Sequence, residues 1–536
     1  MSHTATRKPL SVSLLILLGL APLGAQAAPP DAGRIMRDTL SVTPYEPLGP
    51  SVSFELDVAP LEESEQGGAR VRVTRIELSG HSVFDEATLQ AVVADALTTE
   101  QDLAGLRGIA NRLTRYYRDR GYPFARAILP PQTLQDGVLR ITLLEGRYGA
   151  VRGDGALAAQ AQPWLDTLQS GDVIAADPLE RTTLLLGDLP GIETVPVMRP
   201  GDTLGSGDLA VKVTPGEQLQ TTFGTDNHGS RTSGEGRAHI GVLANRLFTL
   251  GDELNVTALY SEEDLWLGRV AYSLPLGHSG LRGELAYART EYNLREPFTG
   301  FTGTADIGSA RLSYPFIRSH QGNLTASLSY RYKTLDDRLL DVSYQRRDSD
   351  SGSIALQFDR RDTLGGGGIS YGEIGITSGD LSNDTNGTTE GGFSYLGLDL
   401  SRLQSLPGSF SLWANARVQW ADTQLDSSEA MSLGGANGVR AYPQGEVSGS
   451  RAWLARLETR YHAAAQVTPY LFYDHGRRAG YLDEPGERLA GGGLGLRYSG
   501  AAWSLDAAMA FQTTGETATE DEQRDPRFWL QATYRL

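Results

Sequence analysis

The stretch FSLWANARVQWA, residues 410–421, puts Phe410, Leu412, Ala414, Ala416, Val418 and Trp420 on one parity and Ser411, Asn415, Arg417 and Gln419 on the other. Side chains of an extended strand point alternately to its two faces. The segment is therefore a strand with one apolar and one polar side, and only Trp413 breaks the pattern. RAWLARLETRYH (451–462) sets Trp453, Ala455, Leu457 and Tyr461 against Arg456, Glu458 and Arg460. NLTASLSYRYK (323–333) alternates in the same way. FWLQATYRL (528–536) opposes Phe528, Leu530, Ala532, Tyr534 and Leu536 to Trp529, Gln531, Thr533 and Arg535. Strands of this kind follow one another from Gln218 to Leu536, with no long helical pattern between them. Short turns such as TLGDE (249–253) and PLGHSG (275–280) alternate with longer loops at 378–391, 424–449 and 478–488. Aromatic residues mark the strand ends. A soluble sandwich would cover its apolar face with a second sheet. Short turns at one rim, long loops at the other and aromatic girdles are the signature of a transmembrane barrel. Residues 218–536 number 319 (536 − 217). At ~20 residues per strand with its connection they predict roughly sixteen strands.

Working back from the barrel, residues 70–146 read as a compact α/β unit. VRVTRIELSG is a strand, anchored by Val71 and Val73 and then, after a one-residue shift, by Ile76 and Leu78. DEATLQAVVADAL (85–97) and LAGLRGIANRLTRYYRDRG (103–121) carry helical apolar spacing, the second closed by Gly121. FARAIL and GVLRITLLEG follow as strands, giving the order β-α-α-β-β. The same order is expected again over 147–215. The fold class predicted is mainly β: a 16-stranded antiparallel transmembrane barrel preceded by two α/β domains. Before these units, residues 28–69 hold a Pro-rich linker and a short helical pattern, DAGRIMRDTL (31–40), with Asp31 in the N-cap position.

The first 27 residues read as a secretory signal peptide. Arg7 and Lys8 precede an apolar run from Leu10 to about Leu23, and Ala25-Gln26-Ala27 supplies small residues for cleavage. The run is shorter than the ~20 residues a spanning helix needs. Removing Arg7 and Lys8 takes the formal charge from -17 to -19. With no cysteine, a disulfide scaffold, thiol catalysis and Cys-ligated metal sites are excluded. The acidity disfavours nucleic acid, which favours a basic surface.

Enzymatic signatures are weak. GISYG (368–372) matches the spacing of a serine nucleophile elbow, but an alternating strand follows where that motif needs a helix. The glycine run before it lacks the Lys-Ser/Thr of a phosphate loop, and no H-E-x-x-H pair is present. Asp336 with Asp337, and Asp380 with Asp384, read as solvated loop charge rather than calcium ligands. The expectation is no enzyme, no cofactor and no metal.

The order of parts resembles the TpsB transporters of two-partner secretion, within the POTRA-plus-barrel superfamily. The resemblance rests on IELSGHSVF, Gly121-Tyr122, ARAILPPQ (125–132), Gly137 with Leu139 and Ile141, and Glu145-Gly146 in the first unit. Asp226-Asn227 and NRLFTLGDEL (245–254) carry it at barrel entry. It implies two POTRA domains, 70–146 and 147–215. Loop 424–449, between strands eleven and twelve, is where the family has a Val-Arg-Gly-Tyr/Phe tetrad. This chain has Val439, Arg440, Ala441 and Tyr442. In the family that loop folds into the lumen and its arginine meets the acid of an F-x-D-x-G motif on strand thirteen, here Phe472, Asp474 and Gly476. Alternation puts Asp474 on the face of Tyr470 and Phe472, away from Leu471 and Tyr473, and a carboxylate facing lipid is costly. A forked guanidinium satisfies both carboxylate oxygens at once. Partly water-filled surroundings would make the pair worth ~1–3 kcal/mol. Alanine at the third position departs from the family, since a positive φ there would cost ~1 kcal/mol or more.

The resemblance further implies that helix 31–40, with Asp31, Arg34, Ile35 and Leu40, is a plug resting in the pore. It implies a monomeric barrel in outer-membrane lipid that exports an unfolded exoprotein bearing an N-terminal secretion domain, with the POTRA domains in the periplasm. An insertase that assembles other outer-membrane proteins shares the architecture. Insertases usually carry more POTRA units and lack a plug and Pro-rich linker, so two units with residues 31–60 favour export.

Overall fold

The computed structural model describes residues 29–40, 60–61, 65–97, 99–385, 389–480, 485–515, 517–519 and 524–536. The expected signal peptide (1–27) and most of the Pro-rich linker lie outside the described residues. Sixteen antiparallel strands close into a barrel. In chain order they are Leu219–Asp226, Arg237–Asn245, Glu253–Ser261, Trp266–Pro275, Arg282–Asn293, Phe301–Arg318, Gly322–Leu339, Val342–Asp362, Gly368–Ser382, Gly391–Ser405, Phe410–Ala421, Arg451–Tyr461, Val467–Arg478, Glu487–Ser499, Trp503–Gly515 and Arg527–Arg535, numbered one to sixteen below. Strand sixteen closes on strand one through register pairs from Gln531–Asp226 to Arg535–Thr222. Closure matters because an unpaired backbone group in hydrocarbon costs several kcal/mol, and a closed sheet has no free edge.

The parity read in the sequence sorts the two faces. Leu471 and Tyr473 on strand thirteen are 64% and 46% exposed on the outer wall, whereas Tyr470, Phe472 and Asp474 are buried inside. Leu328, Ile354, Ile376 and Leu530 are likewise exposed, an apolar surface suited to lipid rather than water. Aromatic rings border it: Phe410 stacks near Tyr461 and Trp503 near Tyr534 at one rim, with Trp420 and Trp453 towards the other. Loops 383–390 and 479–486 are shorter than expected because their flanking strands extend further, and strands seven and eight meet in the tight turn Leu340-Asp341.

Two α/β units precede the barrel. In the first, Arg75–Ser79 pairs parallel with Val138–Leu144, which pairs antiparallel with Arg126–Ile128. Helices Glu86–Val93 and Leu103–Arg118 cover one face, burying Leu89, Val93, Ile109, Leu113 and Tyr117 against Ile76, Leu139 and Ile141. The expected strand from Val71 is in fact two pieces. Val71–Arg72 pairs with Glu100–Gln101 in a separate ladder, and only Arg75–Ser79 joins the main sheet. The one-residue shift in apolar parity is the reason, since a flat strand cannot bury both parities on one side. The second unit repeats the plan, with Ser206–Pro215 central between Arg147–Asp154 and Ile192–Pro200 under helices Ala158–Leu165 and Ala176–Gly187. It docks on the barrel's short-turn rim. Arg318, at the end of strand six, holds Asp188 through two contacts of 2.6 and 2.7 Å, and Glu180 meets His320 in the next turn at 2.6 Å.

Each unit has its own apolar core, although Leu250 of a barrel turn joins the second. Residues 70–215 are expected to unfold cooperatively in water without detergent, followed by circular dichroism; an aggregated or unstructured fragment would refute the boundary. Within it, buried Glu145 accepts from the Ser82 and Val83 amides at 2.6 and 2.8 Å and from the Tyr117 hydroxyl at 2.9 Å. Burial by itself raises its pKa, but these hydrogen bonds outweigh burial and hold it below the usual glutamate range. A depressed carboxylate stabilises the fold fully above its unfolded pKa of ~4.3, and that contribution is lost as pH falls through the folded value. The fragment's urea midpoint should therefore drop on acidification below about pH 4.3, and less steeply in Glu145→Gln.

Candidate functional site: a lumen filled by loop six and an N-terminal helix

The long connection between strands eleven and twelve turns inward instead of outward. Met431 and Ser432 pair with Gly449 and Ser448 at its neck, and Leu433, Val439, Ala441 and Tyr442 are buried against Leu454, Phe472, Ala510 and Trp529 of the wall. The loop's tip is fixed by Arg440. Its Nε and Nη2 donate to the two oxygens of Asp474 at 2.8 Å each, the planar bidentate geometry that an ammonium cannot make. Nη1 donates to Glu458 on strand twelve at 2.8 Å. The guanidinium lies 3.6 Å from the ring centroid of Phe472, the backbone amide donates to Asp474 at 3.1 Å, and the carbonyl accepts from Trp529 Nε1 at 2.7 Å. Val439, Arg440, Ala441, Tyr442, Phe472, Asp474 and Gly476, grouped in the sequence by the family resemblance, lie together in the folded chain.

Three details differ from expectation. First, the ion pair is dry rather than part-hydrated: Arg440, Glu458 and Asp474 are 4%, 2% and 0% exposed. Removing one partner from a buried pair costs about 3–5 kcal/mol, above the range for a lumen filled with water. Second, Ala441 does not adopt a positive φ. Its methyl occupies the space left by Gly491 on strand fourteen, where an added Cβ would come within 2.3 Å of the Ala441 Cβ. Gly476 serves likewise, since a Cβ there would press on Val439 and Leu433 at 3.3 and 3.4 Å. Third, the arginine has two acids. Glu458 was visible as the lone acid on a lumenal face between Arg456 and Arg460, and it also binds Arg460 and Arg497 at 2.7 and 2.9 Å. Trp529 and Trp413, the two tryptophans out of apolar register, both point into the lumen, Trp413 between Arg456 and Arg460. Tyr442 is buried, with its hydroxyl donating to the Thr514 carbonyl at 3.1 Å.

The helix foretold over 31–40 spans Ala32–Thr39 and also lies inside the barrel. Asp31 caps it, accepting from the Arg34 amide at 2.9 Å. Ile35 and Met36 are buried against Leu265, Tyr292, Ala305 and Leu335 of the wall, with Leu40 packed at the edge. Arg34 donates to the carbonyl of Gly445 at 2.7 Å, and Arg37 to those of Ser427 and Ala430 at 2.8 and 2.6 Å. The helix therefore touches both the wall and loop six. Its N-terminus meets a second ionic centre that the sequence did not reveal. Arg347 on strand eight contacts Asp31 at 3.0 Å and Asp337 and Asp426 at 2.6 Å each. Asp337 also accepts from the Ala32 amide at 2.7 Å, an acid at the positive end of the helix. Asp337 is no solvated loop charge: it is fully buried on strand seven, while Asp336 faces outward on the same strand. Asp380 lies on strand nine, and buried Asp384 accepts from Gln345 at 2.9 Å. Among the described residues no group of three or more His, Asp or Glu is arranged to hold a metal ion.

Comparison with known proteins gives this architecture a family. A POTRA domain of ShlB type matches residues 71–146. The heme/hemopexin transporter protein HuxB of Haemophilus influenzae strain 86-028NP is 27% identical over 84% of this chain and 83% of its own. The outer membrane transporter CdiB of Escherichia coli strain 536 is 27% identical over 76% of this chain and 72% of its own. Among solved structures, CdiB from Escherichia coli superposes with a TM-score of 0.74 at 20% identity, over 90% of this chain and 94% of that one, a likeness of fold. The family model of the haemolysin secretion/activation proteins ShlB/FhaC/HecB matches residues 205–498, more than half of the sequence, and this chain, an outer-membrane transporter, belongs to that family.

Proposed function

We propose that the chain captures an unfolded exoprotein in the periplasm with residues 70–215, a tandem POTRA pair, and conducts it through the barrel to the cell surface. The observation that carries this reading is a lumen occupied by two inserts, loop six and the Ala32–Thr39 helix, each held to the wall by side-chain contacts. Capture is by strand addition to an exposed POTRA edge. Arg126–Ile128 and Ile192–Pro200 are such edges, each paired on one side only. Direction comes from folding of the cargo outside, since no nucleotide motif is present. In this scheme the Ala32–Thr39 helix is a plug that leaves on its tether, residues 28–69, while Arg440 keeps loop six inside throughout. The barrel acts as a monomer, its outer wall in lipid. An insertase shares the architecture, but a pair of α/β units with the Ala32–Thr39 helix on its Pro-rich tether favours export.

Deleting residues 28–60 is expected to raise single-channel conductance in a planar bilayer while export largely survives; unchanged conductance would sink the plug role. Cargo is identified as the neighbouring reading frame whose product reaches the medium only when this chain is expressed.

The lock yields a graded series read on that export. Arg440→Ala should leave the barrel inserted and heat-modifiable on gels, yet cut export strongly. Arg440→Lys should recover only part, because one ammonium cannot serve Asp474 bidentately and Glu458 as well. Arg440→Asp with Asp474→Arg should exceed either single change but stay below wild type, because Glu458 then faces the new aspartate. A double variant no better than the worse single one would show that the two residues do not act as a pair.

A further inference from the structure

The outer wall carries an unusual pair of charges at the surface-exposed rim of strands thirteen and fourteen. Arg477 and Arg488 are direct cross-strand partners, both exposed and both on the lipid-facing parity of Leu471 and Tyr473. Like charges directly opposite each other destabilise a strand pair. Neither guanidinium has a hydrogen bond or ion pair among the described residues. One position along, on the inner face, the neighbouring pair is Arg478 with Glu487, joined at 2.7 Å. Elsewhere on the outer wall the same problem is solved internally: Arg289 pairs with Asp306 at 3.2 Å. At the Arg477–Arg488 position no described residue supplies a counter-charge.

The surroundings specify what would supply it. Arg477 stands directly across from Trp453, and exposed Arg451 directly across from Trp420, the tryptophans of the outer girdle. From Phe410 at the inner rim to Trp420 is ten residues, about 25 Å of height at ordinary strand rise and barrel tilt, the usual apolar thickness. The arginines therefore sit at headgroup level. Below them the wall is dented where Ala414, Ala416 and Ala455 replace bulky side chains, a depression of about 570 Å³ bordered by Trp453, Leu457 and Tyr473. A cationic row above an apolar dent matches one chemistry, a lipid with an anionic phosphate headgroup and acyl chains.

We propose that Arg477 and Arg488, flanked by Arg451, bind the phosphate of a phosphorylated lipid of the outer leaflet, with its chains against the dent. The site lies on the strands that carry Glu458 and Asp474 on their inner side, so the bound lipid braces the wall that anchors loop six.

The test uses the full chain purified in detergent, with bisphosphorylated lipid A as probe and native mass spectrometry as readout. Wild type should retain lipid A adducts about tenfold or more above Arg477→Gln/Arg488→Gln, as expected for the loss of charge-assisted contacts. Arg289→Gln should bind as wild type does. Dephosphorylated lipid A should not be retained, and millimolar inorganic phosphate should not displace the phosphorylated form. A melting series without lipid separates binding from folding. There the double variant should melt at the same or a higher temperature, because an unneutralised repulsion has been removed, and added lipid A should reverse the order. Equal retention by wild type and double variant, equal retention of the dephosphorylated lipid, displacement by free phosphate, or a lower melting temperature of the lipid-free variant would each overturn the proposal.

Discussion

A β-barrel of sixteen strands encloses a space too wide for its own wall side chains to fill, and what fills it must be held there against water. The constraint is met by charge. Arg440 reaches from loop six to Asp474 and Glu458 on two adjacent strands, with contacts of 2.8 Å to each. In a dry interior such a pair contributes little over an apolar substitute, but loss of one member strands the other at a cost of about 3–5 kcal/mol. The arrangement therefore specifies position more than stability. It fixes where the loop sits, and the loop in turn gives the helix a surface to rest on.

The two ionic centres divide the lumen between them. Around Arg440 the contacts join loop to wall and are sealed by Phe472, Tyr442 and Trp529. Around Arg347 they join helix, wall and the base of the loop through Asp31, Asp337 and Asp426. The helix has only eight residues and buries a small apolar face of Ala32, Ile35 and Met36. An isolated helix of that length is marginal in water, so its order depends on the capped, ion-paired N-terminus and on carbonyls offered by loop six. The helix meets the wall and the loop through side chains and capping contacts, whereas loop six is continuous with two barrel strands.

Below the membrane the second α/β unit is tied to the barrel's short turns through Arg318–Asp188 and Glu180–His320. Leu250 and Leu189 seat it further. The unit thus holds a set position beneath the lumen, while the first reaches it through Gly146 and the Ala176 amide, which donates to the Gly121 carbonyl at 2.8 Å. The free strand edge Ile192–Pro200 lies on the same unit that is tied to the barrel's short-turn rim.

The amino-acid sequence alone dictated the barrel, because alternation is a local property: each strand shows its own two faces. It determined the strand count, since hairpin connections leave little freedom in spacing, and the inward aim of Asp474, which follows from parity with Leu471 and Tyr473. The Arg440 partnership came from resemblance, and the structure supplied its geometry. Long-range folding set the rest: the pair is dry, Glu458 shares the arginine, and Ala441 fits because Gly491 lies across from it. These depend on how a loop crosses the lumen to strands far along the chain. Arg347 carries no mark in the linear sequence for the same reason. Its three acids, Asp31, Asp337 and Asp426, stand on a helix, a strand and a loop, and no spacing in a linear sequence marks residues that meet only when the ring has closed around them.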